Sequence, residues 1–328
     1  MLVVFKHLKP QRAVFFSILA LPLQIFRLSF SGGNQLVQSM SLVSLNEAEK
    51  VYIIHGVEEN FRCDGRSRQD YRPLELEMDI VSNANGSARL RLANSDILVC
   101  VKVEIDTPLP EAPKDGKVEY FVDCSANATP AFEGRGGEHL AAELSRFLSL
   151  AHGPVFNLSK LCIVPGQSCW KLFVDVLILE CGGNLFDAVS LAAKAALCNT
   201  SLPNIVGTYE DGQNIDLQIS DDPFDTKALD ASDLPVLVSM CKIGNSYVAD
   251  PTIEEEICGA GCIVVSVTPK GNVTAVLKKG AGSFMPDTLN EIIMSGSHIG
   301  ILLNKALNET LIQDMSSNVC KQQYGFLK

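Results

Sequence analysis

The chain has 328 residues, of which 47% are hydrophobic and 20% charged, a composition typical of a globular protein that buries a sizeable core. Its 38 acidic and 27 basic residues give a formal net charge of −11, which repels phosphate backbones over most of the surface. This balance excludes a free-standing nucleic-acid binder unless a local basic patch is present, and the length predicts two domains.

The first 39 residues form a separate segment. Residues 1–39 contain four basic and no acidic side chains, and residues 13–26 are almost all apolar, a length that suits a signal peptide and is short for a membrane span. Met40 is a second possible start, because Ser44 followed by Glu47 has the spacing of a capping box. We favour an N-terminal extension, targeting or disordered, over an organelle-targeted protein, and expect no membrane partner.

The remaining chain predicts two α+β domains, over residues 40–218 and 219–328. A short helix ends near His55, and alternating polar and apolar residues then predict consecutive antiparallel strands over 74–81, 87–93 and 96–105. A loop follows, and then a fourth strand over 118–126. Next come a helix from about Glu138, a long buried strand over 170–180, an alanine-rich helix ended by Pro203, and an acidic connection up to a boundary near 219–233. In the second domain the pattern predicts further strands, a helix after Thr252, a hairpin around 269–271 and a last helix from Pro286.

The eleven cysteines form neither a disulfide framework nor a metal motif. No CxxC pair occurs, and Cys258 and Cys262 lie four residues apart without a second pair of ligands nearby. Most of the others lie among aliphatic residues, where a free thiol behaves as a small core side chain. We therefore expect free thiols, a reducing compartment, and no metal or other cofactor.

Two acids on the long strand are candidates for chemistry. Five positions separate Asp175 from Glu180, so regular alternation directs their side chains to opposite faces of the sheet. A metal site or acid–base pair made from both would need a β-bulge or a turn at Glu180. The spacing alone favours a structural acid at a strand end over a catalytic one.

Four arginines are candidates for anion or RNA contacts: Arg62, Arg89, Arg91 and Arg135. Arg62 precedes an Asp-Gly turn and could bind phosphate or hold the turn. Arg89 and Arg91 share one face of a strand, either as a basic surface or as a solvated edge. Arg135 lies among glycines before a helix N-terminus, where anion sites often form, although acids flank it.

Five ordered blocks of the sequence resemble the ribonuclease PH family: FRCDGRSRQDYRPLELE, GSARLRLANSDILVCVKVEIDTP, FVDCSANATPAFEGRGGEHL, WKLFVDVLILECGGNLFDAVSLAAKAAL and LPVLVSMCKIGNSYVADPTIEEEICGAG. Together they cover nearly everything from Met40 onward. The resemblance implies the two-domain α+β ribonuclease PH fold and a place in the ring of the eukaryotic RNA exosome. It also implies as partners the other ring subunits of this family, RNA-binding cap proteins, hydrolytic exoribonucleases and single-stranded RNA.

Catalytic members of the family degrade RNA from 3′ to 5′ by phosphorolysis, using arginines for phosphate and carboxylates for a metal. Here the block that corresponds to their phosphate segment keeps one arginine, Arg135, between two acids. In catalytic members an acid directly precedes two small residues, whereas here Cys181 occupies that place and Glu180 lies one step earlier.

These departures predict a non-catalytic ring subunit that shapes the RNA path during ribosomal RNA maturation and messenger RNA turnover. The resemblance implies that it acts in the nucleus, nucleolus and cytoplasm. The alternative is an active phosphate-dependent exoribonuclease whose site residues are Asp175, Glu180 and Arg135.

Overall fold

The computed structural model describes residues 3–4, 28–30, 45–211, 214–220, 222 and 225–317. The apolar stretch 13–26 and the predicted cap Ser44 lie outside these residues. Two short strands of the N-terminal segment are described, β1 (Val3–Val4) and β2 (Leu28–Phe30). Within the described ranges no helix combines the length and the apolar composition needed to cross a membrane.

The first half of the chain builds a seven-stranded mixed sheet. It contains β1, β3 (Leu74–Met78), β4 (Gly86–Leu92), β5 (Ser95–Asp106), β6 (Lys117–Cys124), β7 (Cys162–Val164) and β8 (Ser168–Glu180). The strand order is β1-β3-β4-β5-β8-β6, with β7 also on β8.

The antiparallel pairing predicted for β3, β4 and β5 is confirmed. Strand β8 inserts between β5 and β6 and runs parallel to β6. The segment between β6 and β8 contains a helix, and a connection of this kind is what parallel neighbours require.

Five helices are described: α1 (Glu47–Glu58), α2 (Glu138–His152), α3 (Leu185–Cys198), α4 (Ile253–Cys258) and α5 (Pro286–Ser317). Helix α1 is capped at Asn46, where the Asn46 backbone N–H donates to Glu49 Oε2 at 2.8 Å. The starts predicted for α2, α4 and α5 are confirmed. Two 3₁₀ turns, Pro130–Phe132 and Leu158–Leu161, lie in the connection between β6 and β8.

The segment after α3 differs from the prediction. It folds into β9 (Ser201–Pro203), β10 (Ile205–Asp211), β11 (Asn214–Ile219) and β12 (Thr226–Ala228), paired as β10–β11 and β9–β12. Helix α3 ends at Cys198, so Pro203 does not end it and instead lies in a strand. Because this segment is rich in acidic residues, the sequence predicted a connection here and no strands. The predicted boundary between residues 218 and 219 stays a prediction, and the β9–β12 pairing spans it.

The second half forms a five-stranded sheet. Its strands are β13 (Val236–Ile243), β14 (Ser246–Ala249), β15 (Gly261–Val267), β16 (Val273–Lys279) and β2. The order is β14-β13-β15-β16-β2, and the predicted hairpin joins β15 to β16.

Helix α3 packs between the two sheets. Nearly all of its residues are buried, and it contacts β4 and β5 on one side and β13 on the other. Four residues at helical spacing along one face of α3 are all buried: Phe186, Val189, Ala193 and Leu197. Both halves therefore share one hydrophobic core.

Candidate functional site

Arg62 lies inside the molecule. Its side chain is 1% exposed, and its Nε donates to Glu255 Oε1 at 2.7 Å while its Nη2 pairs with Glu255 Oε2. Nη1 donates to the Ala249 carbonyl at 2.9 Å and Nη2 to the Asp250 carbonyl at 2.8 Å. Because groups within the protein accept all of these hydrogen bonds, the burial of Arg62 argues against the predicted RNA contact, which stays a prediction. The alternative, a structural role in holding the turn, applies.

Asp250 is the centre of the same buried network. Its carboxylate accepts hydrogen bonds from Arg66 Nη1 at 2.9 Å, from Arg72 Nε and Nη2 at 2.9 and 2.8 Å, and from Asn184 Nδ2 at 2.7 Å. Burial by itself would raise the pKa of Asp250, but the hydrogen bonds and charges of Arg72 and Arg66 outweigh it and hold this pKa below its usual value. The network therefore fastens the loop before β3 to the second half of the chain.

Arg72 also fixes the end of β8. Its Nη1 donates to the Gly182 carbonyl at 2.7 Å and its Nη2 to the Gly183 carbonyl at 3.2 Å. A Cβ on Gly182 would lie 2.6 Å from the carbonyl carbon of Asn94, and Gly183 has φ of +88° with the Ile253 nitrogen 2.7 Å from its Cβ position. The glycine pair is thus used for close packing, against the turn at Asn94 and the start of α4.

Asp175 and Glu180 share a face of the sheet but do not form a pair. The β5–β8 register passes from Ile97 opposite Ile178 to Asp96 opposite Glu180, so a bulge at Leu179 removes the alternation that the sequence predicted. Both acids are exposed on the face away from the core. Five residues of strand separate them by roughly 16 Å, too far for one metal ion or one proton transfer.

Arg89 and Arg91 occupy that outer face as well, and each is paired. Arg89 donates Nε to Asp96 Oδ1 at 2.9 Å and Nη2 to Asp96 Oδ2 at 2.6 Å, while Arg91 Nε lies 3.3 Å from Asp96 Oδ2. Glu180 lies opposite Asp96 in the register and contributes to raising the pKa of Arg89, after the larger effect of Asp96. Acids thus neutralise this surface, which argues against the predicted RNA contact by these two arginines.

Arg135 is the exposed member of the four. Its side chain is 90% exposed, with Nε 3.7 Å from Glu138 Oε1. The glycines around it serve packing: a Cβ on Gly136 would lie 1.8 Å from the Ala131 carbonyl oxygen, and one on Gly137 would lie 2.6 Å from Cys124 Cβ. Glu138 occupies the first turn of α2, so it competes with any anion for that helix terminus. This segment therefore provides one cation, Arg135, but no set of converging donors that could bind a phosphate group.

A cavity of about 240 Å³ opens between α2, the end of β8 and the second sheet. Two charged groups from the second half line it, Glu256 of α4 and Lys279 of β16. Burial raises the pKa of Glu256, and the charge of Lys279 offsets this only in part. The Lys279 ammonium lies 4.1 Å from the centre of the Phe186 ring. Most other lining groups are small or apolar, including Leu140, Cys181, Cys241, Ile257 and Cys262.

The cavity does not have the donor set of a phosphate or metal site. No arginine lines it, and no group of three or more histidine, cysteine or acidic side chains in the described part of the chain is arranged to hold a metal ion. Burial raises the pKa of Cys262 to about 12, so this thiol is protonated at neutral pH and is a poor nucleophile.

Sequence reasoning missed Asp250, Glu256 and Lys279. Asp250 and Glu256 lie before and within a short helix, where acids are usually helix caps. Lys279 lies at a strand end, where a lysine is usually a surface residue. Only the approach of the two halves makes these residues neighbours of Asn184. The one signal was the density of acids in ADPTIEEE.

Comparisons with known proteins agree with this architecture. The 3′ exoribonuclease family, domain 1, matches residues 70–203, and its domain 2 matches residues 233–298. A protein of Dictyostelium discoideum named as exosome complex exonuclease RRP42 is 32% identical over 81% of this chain and 98% of its own length. The exosome complex component Rrp42 of Thermococcus kodakarensis is 36% identical over 71% of this chain and 84% of its own.

Solved structures agree as well. The exosome of Archaeoglobus fulgidus with RNA bound to the active site contains a chain that superposes with a TM-score of 0.66 at 28% identity, covering 78% of this chain and 96% of that one. A chain of an archaeal exosome core superposes with a TM-score of 0.64 at 27% identity, covering 79% and 96%. The chain described here belongs to the ribonuclease PH family of 3′ exoribonucleases and has its two-domain α+β fold.

The Asp250 network yields a test of stability. Asp250→Asn removes a buried negative charge, which leaves Arg72 without its counter-ion and Arg66 with only Asp64, so we expect the free energy of unfolding of the full chain to fall by about 3 to 5 kcal/mol. Because the pKa of Asp250 is lowered in the folded state, its stabilising contribution is present above pH ~4 and declines as the pH falls below that value. Denaturant unfolding at several pH values measures both effects.

Asp233→Asn is the matched control, because Asp233 pairs with Lys270 at 3.1 Å on the exposed surface. This change should lower the free energy of unfolding by less than about 1 kcal/mol. Equal losses for the two variants would contradict the role given to the buried network.

Proposed function

We propose that this protein is a non-catalytic structural subunit of the RNA exosome ring. It supports 3′ to 5′ processing and degradation of RNA, including ribosomal RNA maturation and messenger RNA turnover. Its similarity to exosome components extends over most of the chain and supports the ring assignment. Its partners would be other ring subunits of the ribonuclease PH family and single-stranded RNA, together with RNA-binding cap proteins and hydrolytic exoribonucleases.

One observation carries the non-catalytic part of this proposal. The acids that the alternative requires, Asp175 and Glu180, lie five strand residues apart on an exposed face. Glu180 is next to Arg89 and Asp96, which form a salt bridge with each other on the surface of the sheet. Of the four candidate arginines, only Arg135 is exposed and has no acid closer than 3.7 Å. A single cation provides little stabilisation for the charge that develops in phosphate chemistry.

The name of the family favours the competing function, a phosphate-dependent 3′ to 5′ exoribonuclease. The test is to recover the assembly from its own cells with a tagged full chain and to measure its mass and its RNA shortening with and without phosphate. We expect a hetero-oligomer, and we expect a chain with both Asp175→Ala and Glu180→Ala to support the same rate of RNA shortening, since neither acid reaches a reacting group.

A small homo-oligomer whose RNA shortening consumes phosphate and releases nucleoside diphosphates would contradict the scaffold proposal. So would a loss of about a hundredfold or more in the double variant, which is the size expected when a general acid or base is removed. The exposed pair Lys160 and Asp230, 2.7 Å apart, offers a control: Asp230→Ala changes one surface acid and should also leave the rate unchanged.

Arg135 is the RNA contact that the geometry favours. In the assembled complex, Arg135→Ala should weaken single-stranded RNA binding and reduce the slope of log affinity against log salt by about 0.7, because one phosphate contact is lost. Arg89→Ala should leave that slope unchanged, since Asp96 already neutralises Arg89. Binding titrations over a range of salt concentrations measure both.

Glu138→Gln is the complementary variant, because it removes the acid nearest to Arg135 and should strengthen RNA binding. The assignment of Arg135 is wrong if Arg135→Ala leaves the salt slope intact while Arg89→Ala reduces it.

We also propose that the protein acts in the nucleus, nucleolus and cytoplasm, where its RNA substrates are made and turned over. Ten free cysteines in the described chain and the absence there of a disulfide support a reducing compartment. Imaging the full chain with a fluorescent protein at its C-terminus tests this proposal. A signal confined to an organelle other than the nucleus would contradict it and favour the targeting interpretation of residues 1–39.

A further inference from the structure

Helix α1 has an apolar face that is exposed within the described part of the chain. Its inner side packs against α4 and β14, and Val57 lies there in a cluster with Ile243 and Val248. On the outer side, Tyr52 is 67% exposed and Val51 is 51% exposed. Single exposed apolar residues are ordinary, but a helix that is apolar on two opposite sides is normally covered on both. The outer side of α1 therefore needs an explanation.

Five residues without a carboxylate follow this outer side of α1. They are spaced i, i+3, i+4, i+7 and i+8: Ala48, Val51, Tyr52, His55 and Gly56. We call this set the α1 stripe; four of its members are exposed and Gly56 is half-buried. Phe61 extends it, because the Phe61 backbone N–H donates to the Gly56 carbonyl at 2.8 Å and the Phe61 side chain is 65% exposed. Spacing of this kind is what a second helix packs against.

Acidic side chains border the α1 stripe. Four of them lie on α1 and at its C-cap: Glu47, Glu49, Glu58 and Glu59. Because successive residues of a helix are rotated by about 100°, Glu49 lies on one side of the stripe and Glu58 on the other. Glu59 follows the last turn and lies at the C-terminal end of the stripe. An occupant of the stripe therefore has carboxylates on both of its sides.

Cations near the α1 stripe are fewer and already engaged. Lys50 pairs with Glu47 at 2.8 Å, and Arg68 Nε donates to Asn60 Oδ1 at 3.2 Å. The border of the stripe is therefore net negative. It repels the phosphates of an RNA strand that could otherwise stack on Tyr52, and it attracts a partner that carries positive side chains.

We propose that the α1 stripe is a docking site for an amphipathic helix of a partner protein, whose apolar face is bordered by lysine or arginine side chains. The apolar residues of that helix would pack on Val51 and Tyr52, and its cations would lie beside Glu49 and Glu58. With twelve residues, α1 is about 18 Å long and matches about three turns of the partner. The docking site rests on the exposed face of α1 alone, so it can be tested separately from the scaffold function.

The first probe is a synthetic peptide of about 18 residues, long enough to form a helix, with leucines on one face and lysines on both sides of them. Two peptides serve as controls: one has glutamates in place of the lysines, and one has the same composition in shuffled order. Fluorescence anisotropy with the full chain measures their affinities. We expect the ordered lysine peptide to bind at least about tenfold more tightly than either control, because only it matches both the stripe and its border.

A chain with both Val51→Ser and Tyr52→Ser should bind the ordered lysine peptide at least about tenfold more weakly, because the apolar contact is lost. Both side chains are exposed, so the fold should be retained, and circular dichroism checks this. Leu109→Ser is the matched control, since Leu109 is 56% exposed in the loop between β5 and β6 and should leave the affinity unchanged. Equal affinities of the ordered and shuffled peptides, or an unchanged affinity in the double variant, would overturn the proposal.

The natural partner can be identified with a photo-crosslinking amino acid placed at position 52 of the full chain in its own cells, with position 109 as the control. Mass spectrometry of the cross-linked peptides should find a helical segment of another protein whose apolar face is bordered by lysine or arginine. Cross-links to RNA, to an acidic segment or to a second copy of this chain would contradict the proposal. So would cross-links to residues 1–44 of the same chain, or a yield at position 52 no greater than that at position 109.

Discussion

The buried carboxylate of Asp250 is the constraint on which the rest of the structure depends. It lies in the second half of the chain, yet the groups that satisfy it, Arg66, Arg72 and Asn184, all come from the first half. A buried charge of this kind is tolerated only when it is fully paired, so the two halves must approach each other in one way. Arg72, which is held by Asp250, also donates to the Gly182 and Gly183 carbonyls and thereby fixes the end of β8.

This arrangement accounts for residues that look functional in the sequence and are structural in the fold. Arg62 neighbours a turn and has the chemistry of a phosphate ligand, but Glu255 and three backbone carbonyl groups accept its hydrogen bonds. Glu180 ends a strand in front of two glycines, where chemistry is often found, but it lies opposite Asp96 in a charged cluster on the outer face. Arg62 thus holds the two halves of the chain together and Glu180 lies in a charged surface cluster, an arrangement that supports the proposed scaffold role.

The cavity beside this junction follows from the same packing. Gly183 and the left-handed backbone of Asn184, with φ of +54°, let the chain pass close to the start of α4. The Asn184 amide nitrogen then donates to two carboxylates, and its oxygen is buried without a hydrogen-bond partner. The cavity beside it has no arginine in its lining and therefore lacks the donors that phosphate chemistry requires.

The sequence by itself determined the α+β class and the positions of most strands and helices, because alternation, helical periodicity and caps are local properties that residues near each other in the chain set together. The family followed from the resemblance of five ordered blocks of the sequence. It did not reveal the parallel pairing of β6 with β8, the hairpins after α3, the bulge at Leu179 or the burial of Arg62. Each of these depends on segments far apart in the chain: Arg62 meets Glu255 across 193 positions. Side-chain exposure and charge pairing are decided by which surfaces meet, and only the tertiary structure brings those surfaces together.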